Sequence, residues 1–256
     1  MKKRNLRKTA APLGQHLLTN TKVAERVAIE AGIKKGTRVL EIGPGRGILT
    51  AEILKLGGIV TAVEKDPMMI DALHERFKKE IEDDQLTILS GDARTITPDG
   101  VYPHGGYVIA ANIPYYITGE LLRICLTANN QPKTISFLVQ KEVAERIARS
   151  KKESILSLSV KVYGTPTYVT TVKAGNFNPP PRVDSAILAI SNISRNNFKG
   201  RDEKKFFALV KAGFGQKRKT LAGNLKKVFG SDFGIEDKIR AEDVPLERWL
   251  LLAEKN

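Results

Sequence analysis

The sequence predicts an α/β fold: a mostly parallel sheet with helices on both faces, followed by a small all-helical domain. Three observations predict it. From residue 38 to residue 148, short β-branched apolar runs alternate with amphipathic stretches. After residue 153 the alternation stops, and two apolar runs follow with no long amphipathic stretch between them. Beyond residue 195 only helix-like segments remain.

The elements follow in order. A basic arm, 1–12, carries Lys2, Lys3, Arg4, Arg7 and Lys8 with no acid. Thr19 and Asn20 are capping residues for a helix over 22–30 that stops at Gly32. Runs of Val, Ile, Leu and Ala predict strands over 38–42, 59–63, 86–89, 107–111 and 134–139, each apolar enough to be buried on both faces. Between them lie predicted helices over 48–56, 68–81, 119–127 and 141–148. The runs 156–163 and 186–191 read as two more strands, connected through Pro179, Pro180 and Pro181 and forming an antiparallel hairpin at the sheet edge. The polar stretch 194–201 is a linker. Helices over 203–212, 220–229, 235–239 and 246–253 complete a second domain, so the expected division is 1–194 and 195–256.

Composition narrows the partners. The 256 residues hold 42 Lys and Arg against 28 Asp and Glu, a net charge of +14. Such a field attracts polyanions, nucleic acid and anionic membrane being the obvious ones. No run of 18 apolar residues exists to cross a membrane, and the basic start lacks the apolar stretch of a secretory signal. Cys125 is the only cysteine and sits in an apolar run, which fits a buried structural thiol in a reducing cytosol. We expect a cytoplasmic monomer that needs no metal.

Glu41-Ile42-Gly43-Pro44-Gly45-Arg46-Gly47 follows the first predicted strand and opens a helix. Glycines allow a sharp turn and close backbone approach to a ligand. Glu64 ends the second strand, where a carboxylate can accept hydrogen bonds from ribose hydroxyls. Asp92 follows the third strand and can read an adenine. Each feature alone is an ordinary turn, strand end or cap. Their order along carboxyl ends of parallel strands points to a nucleoside cofactor. A dinucleotide site would place a third glycine at position 48, which is Ile48. The loop instead resembles the first motif of class I S-adenosylmethionine methyltransferases.

Asn112-Ile113-Pro114-Tyr115 closes the fourth strand. An aromatic amine is a poor nucleophile because its lone pair is delocalised into the ring. The Asn112 amide oxygen and the carbonyl of Ile113 or Pro114 can accept the two amine hydrogens and localise that pair. Pro114 stiffens the backbone that holds those acceptors. Tyr115 can stack on the base. No strong base is needed, because the methylated amine sheds its proton readily; positioning and preorganised dipoles supply the rate.

Four stretches together resemble the KsgA-type ribosomal RNA adenine dimethyltransferases nearly end to end. They are Leu13-Gly14-Gln15-His16-Leu17-Leu18, the glycine loop with Asn112–Tyr116, Phe177-Asn178-Pro179-Pro180-Pro181-Arg182-Val183-Asp184-Ser185, and Phe214-Gly215-Gln216-Lys217-Arg218-Lys219-Thr220-Leu221. Leu17 replaces a phenylalanine common in that family, and Lys173-Ala174-Gly175 lacks a proline often found there. The resemblance implies a Rossmann-like class I fold with a seven-stranded, mostly parallel sheet and an antiparallel edge strand. It implies S-adenosylmethionine as cofactor, held by Gln15, His16, Leu18, Gly43, Gly45, Glu64, Asp92, Ala93 and Asn112. It implies a catalytic set of Asn112, Pro114, Tyr115 and Phe177, with Phe177 as the wall of the base pocket opposite Tyr115. The implied reaction is dimethylation at N6 of two adjacent adenosines near the 3′ end of 16S rRNA, in an immature small ribosomal subunit.

Lys211, Lys217, Arg218, Lys219, Lys226 and Lys227 form a stretch without an acid and are the expected RNA phosphate contacts. The nearest alternative is an erythromycin-resistance-type enzyme acting on 23S rRNA. A second is a non-catalytic RNA-binding assembly factor, against which the intact Glu64, Asp92 and Asn112 argue.

Overall fold

The five expected parallel strands form, almost residue for residue, because each is an apolar run too short for a helix and bounded by Gly, Pro or polar residues. The computed structural model describes residues 16–230, 233–236 and 238–254. The chain begins with β1 (Leu17–Leu18) and α1 (Thr21–Glu30). Next come β2 (Arg38–Ile42), α2 (Ile48–Lys55), β3 (Ile59–Glu64), α3 (Pro67–Arg76), α4 (Lys78–Glu82) and β4 (Leu86–Ser90). The short α5 (Pro98–Val101) precedes β5 (Tyr107–Asn112), α6 (Thr118–Thr127), β6 (Ile135–Gln140), α7 (Lys141–Ala148) and α8 (Ile155–Lys161). Then follow β7 (Thr165–Val172), β8 (Phe177–Asn178), β9 (Ser185–Ser191), α9 (Glu203–Gly213), α10 (Leu221–Phe229) and α11 (Leu246–Glu254).

The main sheet has seven strands in the order β4-β3-β2-β5-β6-β9-β7. Strands β2 to β6 pair in parallel, and β9 runs antiparallel to both β6 and β7. The reversed strand therefore lies one place in from the edge, and β7 is the edge strand. Strand order reverses between β2 and β5, so a crevice opens above their carboxyl ends.

Side chains alternate across the sheet. Leu40 on β2, Ile109 on β5 and Phe137 on β6 face one core, with α6, α7 and α8. Val39, Val108 and Leu138 face the other, with α1 and α2. Phe206, Leu209, Leu225 and Trp249 of the C-terminal helices are buried in the first core together with Leu158, Val160 and Tyr163. Tyr163 also donates its hydroxyl to Glu203 at 2.6 Å. The helical segment beyond residue 195 thus shares an apolar cluster with the sheet layer.

Four local expectations need correction. Asn20 alone caps α1, accepting from Lys22 N at 2.9 Å, while the Thr19 hydroxyl donates to the Asn176 carbonyl. The helix expected over 68–81 breaks at Phe77, which leaves helical geometry at φ −115° and ψ 31° and buries its ring. The run 156–163 is not a strand but α8. Ser154 caps it, accepting from Ser157 N at 3.0 Å while Ser157 Oγ accepts from Ser154 N. Alternating Leu and Val read as strand periodicity there, yet Leu158, Val160 and Tyr163 are all buried against one core. The partner strand of β9 is β7, one segment later. Residues 235–239, expected as a helix, form none among those described. Their Ile239 carbonyl instead accepts from Leu221 N at 2.8 Å and so satisfies a free donor at the start of α10.

Candidate active site

The glycine turn between β2 and α2 is built around close approaches. Gly45 and Gly47 adopt φ of 55° and 74°. A Cβ on Gly45 would stand 2.9 Å from Leu17 Cδ2, and one on Gly47 would stand 2.4 Å from Phe77 Cε2. The left-handed backbone favours glycine at both places, and at Gly47 the Phe77 ring and Leu73 also leave no room for a Cβ. Leu17, where a phenylalanine was the family expectation, therefore packs directly on the turn.

Glu64, at the end of β3, is 4% exposed. Its Oε2 accepts from Gly45 N at 3.1 Å, and its Oε1 accepts from Lys65 N at 2.9 Å and Asp66 N at 3.0 Å. The carboxylate thus fastens the turn to the strand beside it. Asp92 lies beyond β4. Its carboxylate is held well below the ordinary range, at about 2, chiefly by hydrogen bonds from the Arg94 side chain and backbone.

Asn112 ends β5, the strand beside β2, and its carbonyl is 3.9 Å from where a Cβ on Gly43 would stand. Its Nδ2 donates to the His16 carbonyl at 3.0 Å. That commits the amide's donor end and leaves Oδ1 as the acceptor end. His16 is itself fixed by Nδ1 against the Pro179 carbonyl at 2.8 Å. The His16 and Tyr115 rings lie 5.7 Å apart, tilted by 30°. The Tyr115 hydroxyl bonds to Ser185 Oγ at 2.7 Å.

Two adjoining recesses result. One is lined by His16, Leu17, Leu18, Glu41, the turn from Gly43 to Arg46, and Asn112 to Tyr115. The other is lined by Gly43, Glu64, Asp92, Ala93, Arg94, Pro114 and Tyr116, among others. Gly43 and Pro114 belong to both. The structure therefore brings together His16, Leu18, Gly43, Gly45, Glu64, Asp92, Ala93, Asn112, Pro114 and Tyr115. Gln15 and the basic arm lie outside the described residues. Phe177 does not line either recess. It is 4% exposed, pairs with Leu18 across β1 and β8, and packs in the core beside α1 and α2.

Three contributors were missed in the sequence. Ser185 belongs to a motif, but its bond to Tyr115 joins segments 70 residues apart and left no local signal, and Tyr116 enters as a lining residue of the second recess. Glu41 was read only as the first letter of the glycine loop. It is 1% exposed, lines the first recess, and neither carboxylate oxygen has a hydrogen-bond partner. Burial pushes it up from 4.5 to about 8; nearby Glu64 adds to the rise and Thr50 offsets part of it. A buried acid with a raised pKa keeps its proton in the fold after the unfolded chain has released it. Stability therefore falls as pH climbs from about 4.5 to about 8 and levels off above. Glu41→Gln should flatten that slope in urea unfolding at pH 5 and pH 8, and an unchanged slope would assign the pH response elsewhere.

The six expected RNA contacts are all exposed. Lys211 is on α9, Lys217 to Lys219 on the turn before α10, and Lys226 and Lys227 in the last turn of α10. Buried Asn224 holds that turn by donating to the Gly213 carbonyl at 2.6 Å and the Gln216 carbonyl at 3.1 Å. One acid does come within electrostatic reach: Glu242, which ion-pairs with Lys152, also feels Lys217.

The family described as ribosomal RNA adenine dimethylase matches residues 6–255. A ribosomal RNA small subunit methyltransferase A of Dehalococcoides mccartyi is 39% identical over 93% of this chain and 84% of its own. The enzyme of the same name from Parabacteroides distasonis is 36% identical over 94% of this chain and 91% of its own. Among solved structures, a dimethyladenosine transferase from Plasmodium falciparum superposes with a TM-score of 0.77 at 26% identity, covering 93% of this chain and 96% of its own. The 23S rRNA methyltransferase ErmE shares the fold, with a TM-score of 0.72 at 24% identity over 93% of this chain and 98% of its own.

Proposed function

The chain belongs to the ribosomal RNA adenine dimethylase family, and from that premise we propose that it methylates N6 of two adjacent adenosines near the 3′ end of 16S rRNA, using S-adenosylmethionine. The product is N6,N6-dimethyladenosine, made on an immature small subunit in the cytosol by a monomeric enzyme. The supporting observation is the orientation of Asn112: one Nδ2 hydrogen goes to the His16 carbonyl, which orients the amide with Oδ1 as its accepting end, beside the glycine turn.

The residues fit the cofactor. Glu64 can take ribose hydroxyls at the mouth of its backbone cradle, and Asp92 can take a purine amine. Glu41 is a buried acid in the wall of the recess with no hydrogen-bond partner among the described residues, and a ligand's ammonium group placed there would favour its ionised form. When bound, S-adenosylmethionine supplies an electrophilic methyl group on a sulfonium.

The chain's own residues do the rest. Asn112 Oδ1 and the Ile113 or Pro114 carbonyl accept the two N6 hydrogens, which turns the nitrogen lone pair toward the methyl. Tyr115, anchored through Ser185, offers its ring to the base. No side chain in the recess need act as a strong base, since the methylated amine is acidic enough to lose a proton to water. Each of these groups is fixed in place before the substrate arrives, so the barrier falls through positioning.

RNA docks on the exposed basic turn. Changing Lys217, Arg218 and Lys219 together to Ala should weaken binding to small-subunit rRNA. It should also flatten the dependence of log K on log salt by about two units, at roughly 0.7 per lost phosphate contact. Filter binding across a KCl series reads this directly; an unaltered slope would mean that the turn faces solvent. The activity is tested by mass spectrometry of nucleosides after incubating the protein with S-adenosylmethionine and immature small subunits. Dimethyladenosine in 16S rRNA supports the reading, and its appearance only in 23S rRNA would transfer the chain to the other substrate.

A further inference from the structure

Asp92 already holds a cation before any ligand is considered. Arg94 Nε donates to Asp92 Oδ1 at 3.0 Å and to Oδ2 at 3.2 Å, and Nη2 donates to Oδ2 at 2.6 Å. The Arg94 backbone N–H adds a bond to Oδ1 at 2.9 Å. A carboxylate has about four acceptor sites, and three hydrogens cover them here, the Nε–H being shared between both oxygens. Glu64 differs, since the donors it takes are all backbone N–H groups. Asp92 and Arg94 line the same recess as Glu64 and Gly43.

We propose that Arg94 competes with the cofactor's adenine for Asp92, and so sets how long adenosine-bearing ligands stay bound. The proposal rests on the assignment of Asp92 to the adenine amine. That amine takes an acceptor site from a guanidinium N–H. It is a neutral donor to the carboxylate, whereas the bond it replaces joins two opposite charges and is the stronger of the two. The ion pair closes again when the ligand leaves. Cofactor and demethylated product carry the same adenosine, so both are released sooner. An enzyme that exchanges product for cofactor several times per substrate benefits from that. The pair is partly exposed, at 42% for Arg94 and 29% for Asp92, so the effect is moderate.

The test is calorimetry on the full chain with S-adenosylhomocysteine and with S-inosylhomocysteine, in which a carbonyl replaces the amine. Arg94→Ala should lower Kd for the adenosyl ligand about fivefold and should not tighten the inosyl ligand. Arg94→Lys, which keeps the charge but loses the two-pronged grip, should fall between. An adenosyl Kd that is unchanged or weaker in Arg94→Ala would overturn the proposal, as would equal tightening of both ligands. Failure of the unaltered protein to bind S-adenosylhomocysteine at all would instead bring down the cofactor assignment, and this proposal with it.

Discussion

Asn112→Ala should lower methyl transfer by about 10²- to 10³-fold, the usual loss when one preorganised polar group at a reacting centre is removed. Two connections go with the side chain. One is the proposed Oδ1 acceptor for the substrate amine. The other is the bond from Nδ2 to the His16 carbonyl at 3.0 Å, which fixes which end of the amide accepts. The Kd for S-adenosylmethionine should move only a few fold, because the proposed holders of the nucleoside, Glu64 and Asp92, are left unaltered. Asn112→Asp separates the two connections. It keeps an acceptor but turns the His16 carbonyl and a carboxylate oxygen toward each other, so the side chain must rotate away. It should be nearly as inactive as the alanine variant. Single-turnover rates with saturating cofactor, alongside calorimetry, read both quantities. Full turnover by Asn112→Ala would remove the amine-acceptor role.

Glu64→Ala should raise the Kd for S-adenosylmethionine about 100-fold, the loss of two hydrogen bonds to a charged acceptor at roughly 1.5 kcal/mol each. A second loss accompanies it. The N–H groups of Gly45, Lys65 and Asp66 all lose the acceptor that the buried Glu64 side chain supplies. Unsatisfied buried donors cost about 1–3 kcal/mol each, less where water can reach them. Urea unfolding should therefore show a destabilised protein before any ligand is added. Glu64→Gln keeps one acceptor and should restore much of the stability but little of the affinity. An unchanged cofactor Kd in Glu64→Ala would contradict the ribose assignment.

Much of the site was legible because it is written in short contiguous motifs. The glycine turn follows a strand and opens a helix, and the chemistry of glycine makes that readable. Glu64 and Asn112 end strands, Asp92 follows one by two residues, and parallel strands put their carboxyl ends on one side. Three things were not legible. The alternation in 156–163 has the period of a strand but folds as a helix, because Ser154 caps it and its apolar residues are buried together. Phe177 is a pocket aromatic by motif, yet it pairs with Leu18 across β1 and β8, is buried in the core cluster and lines neither recess. Arg94 is an ordinary exposed residue in sequence, and only its four contacts on Asp92 give it meaning.

The sequence by itself determined the layered α/β fold, the glycine turn and the acids at the strand tips, since each depends on residues within about one element of one another. Only the tertiary structure decided which end of the Asn112 amide bonds to His16, what anchors Tyr115, and where the reversed strand lies. Those outcomes rest on partners 96 and 70 residues apart, and on strands that meet out of chain order. Hydrogen bonds and burial act through space, so a pairing between distant segments leaves no period or spacing in the chain to read.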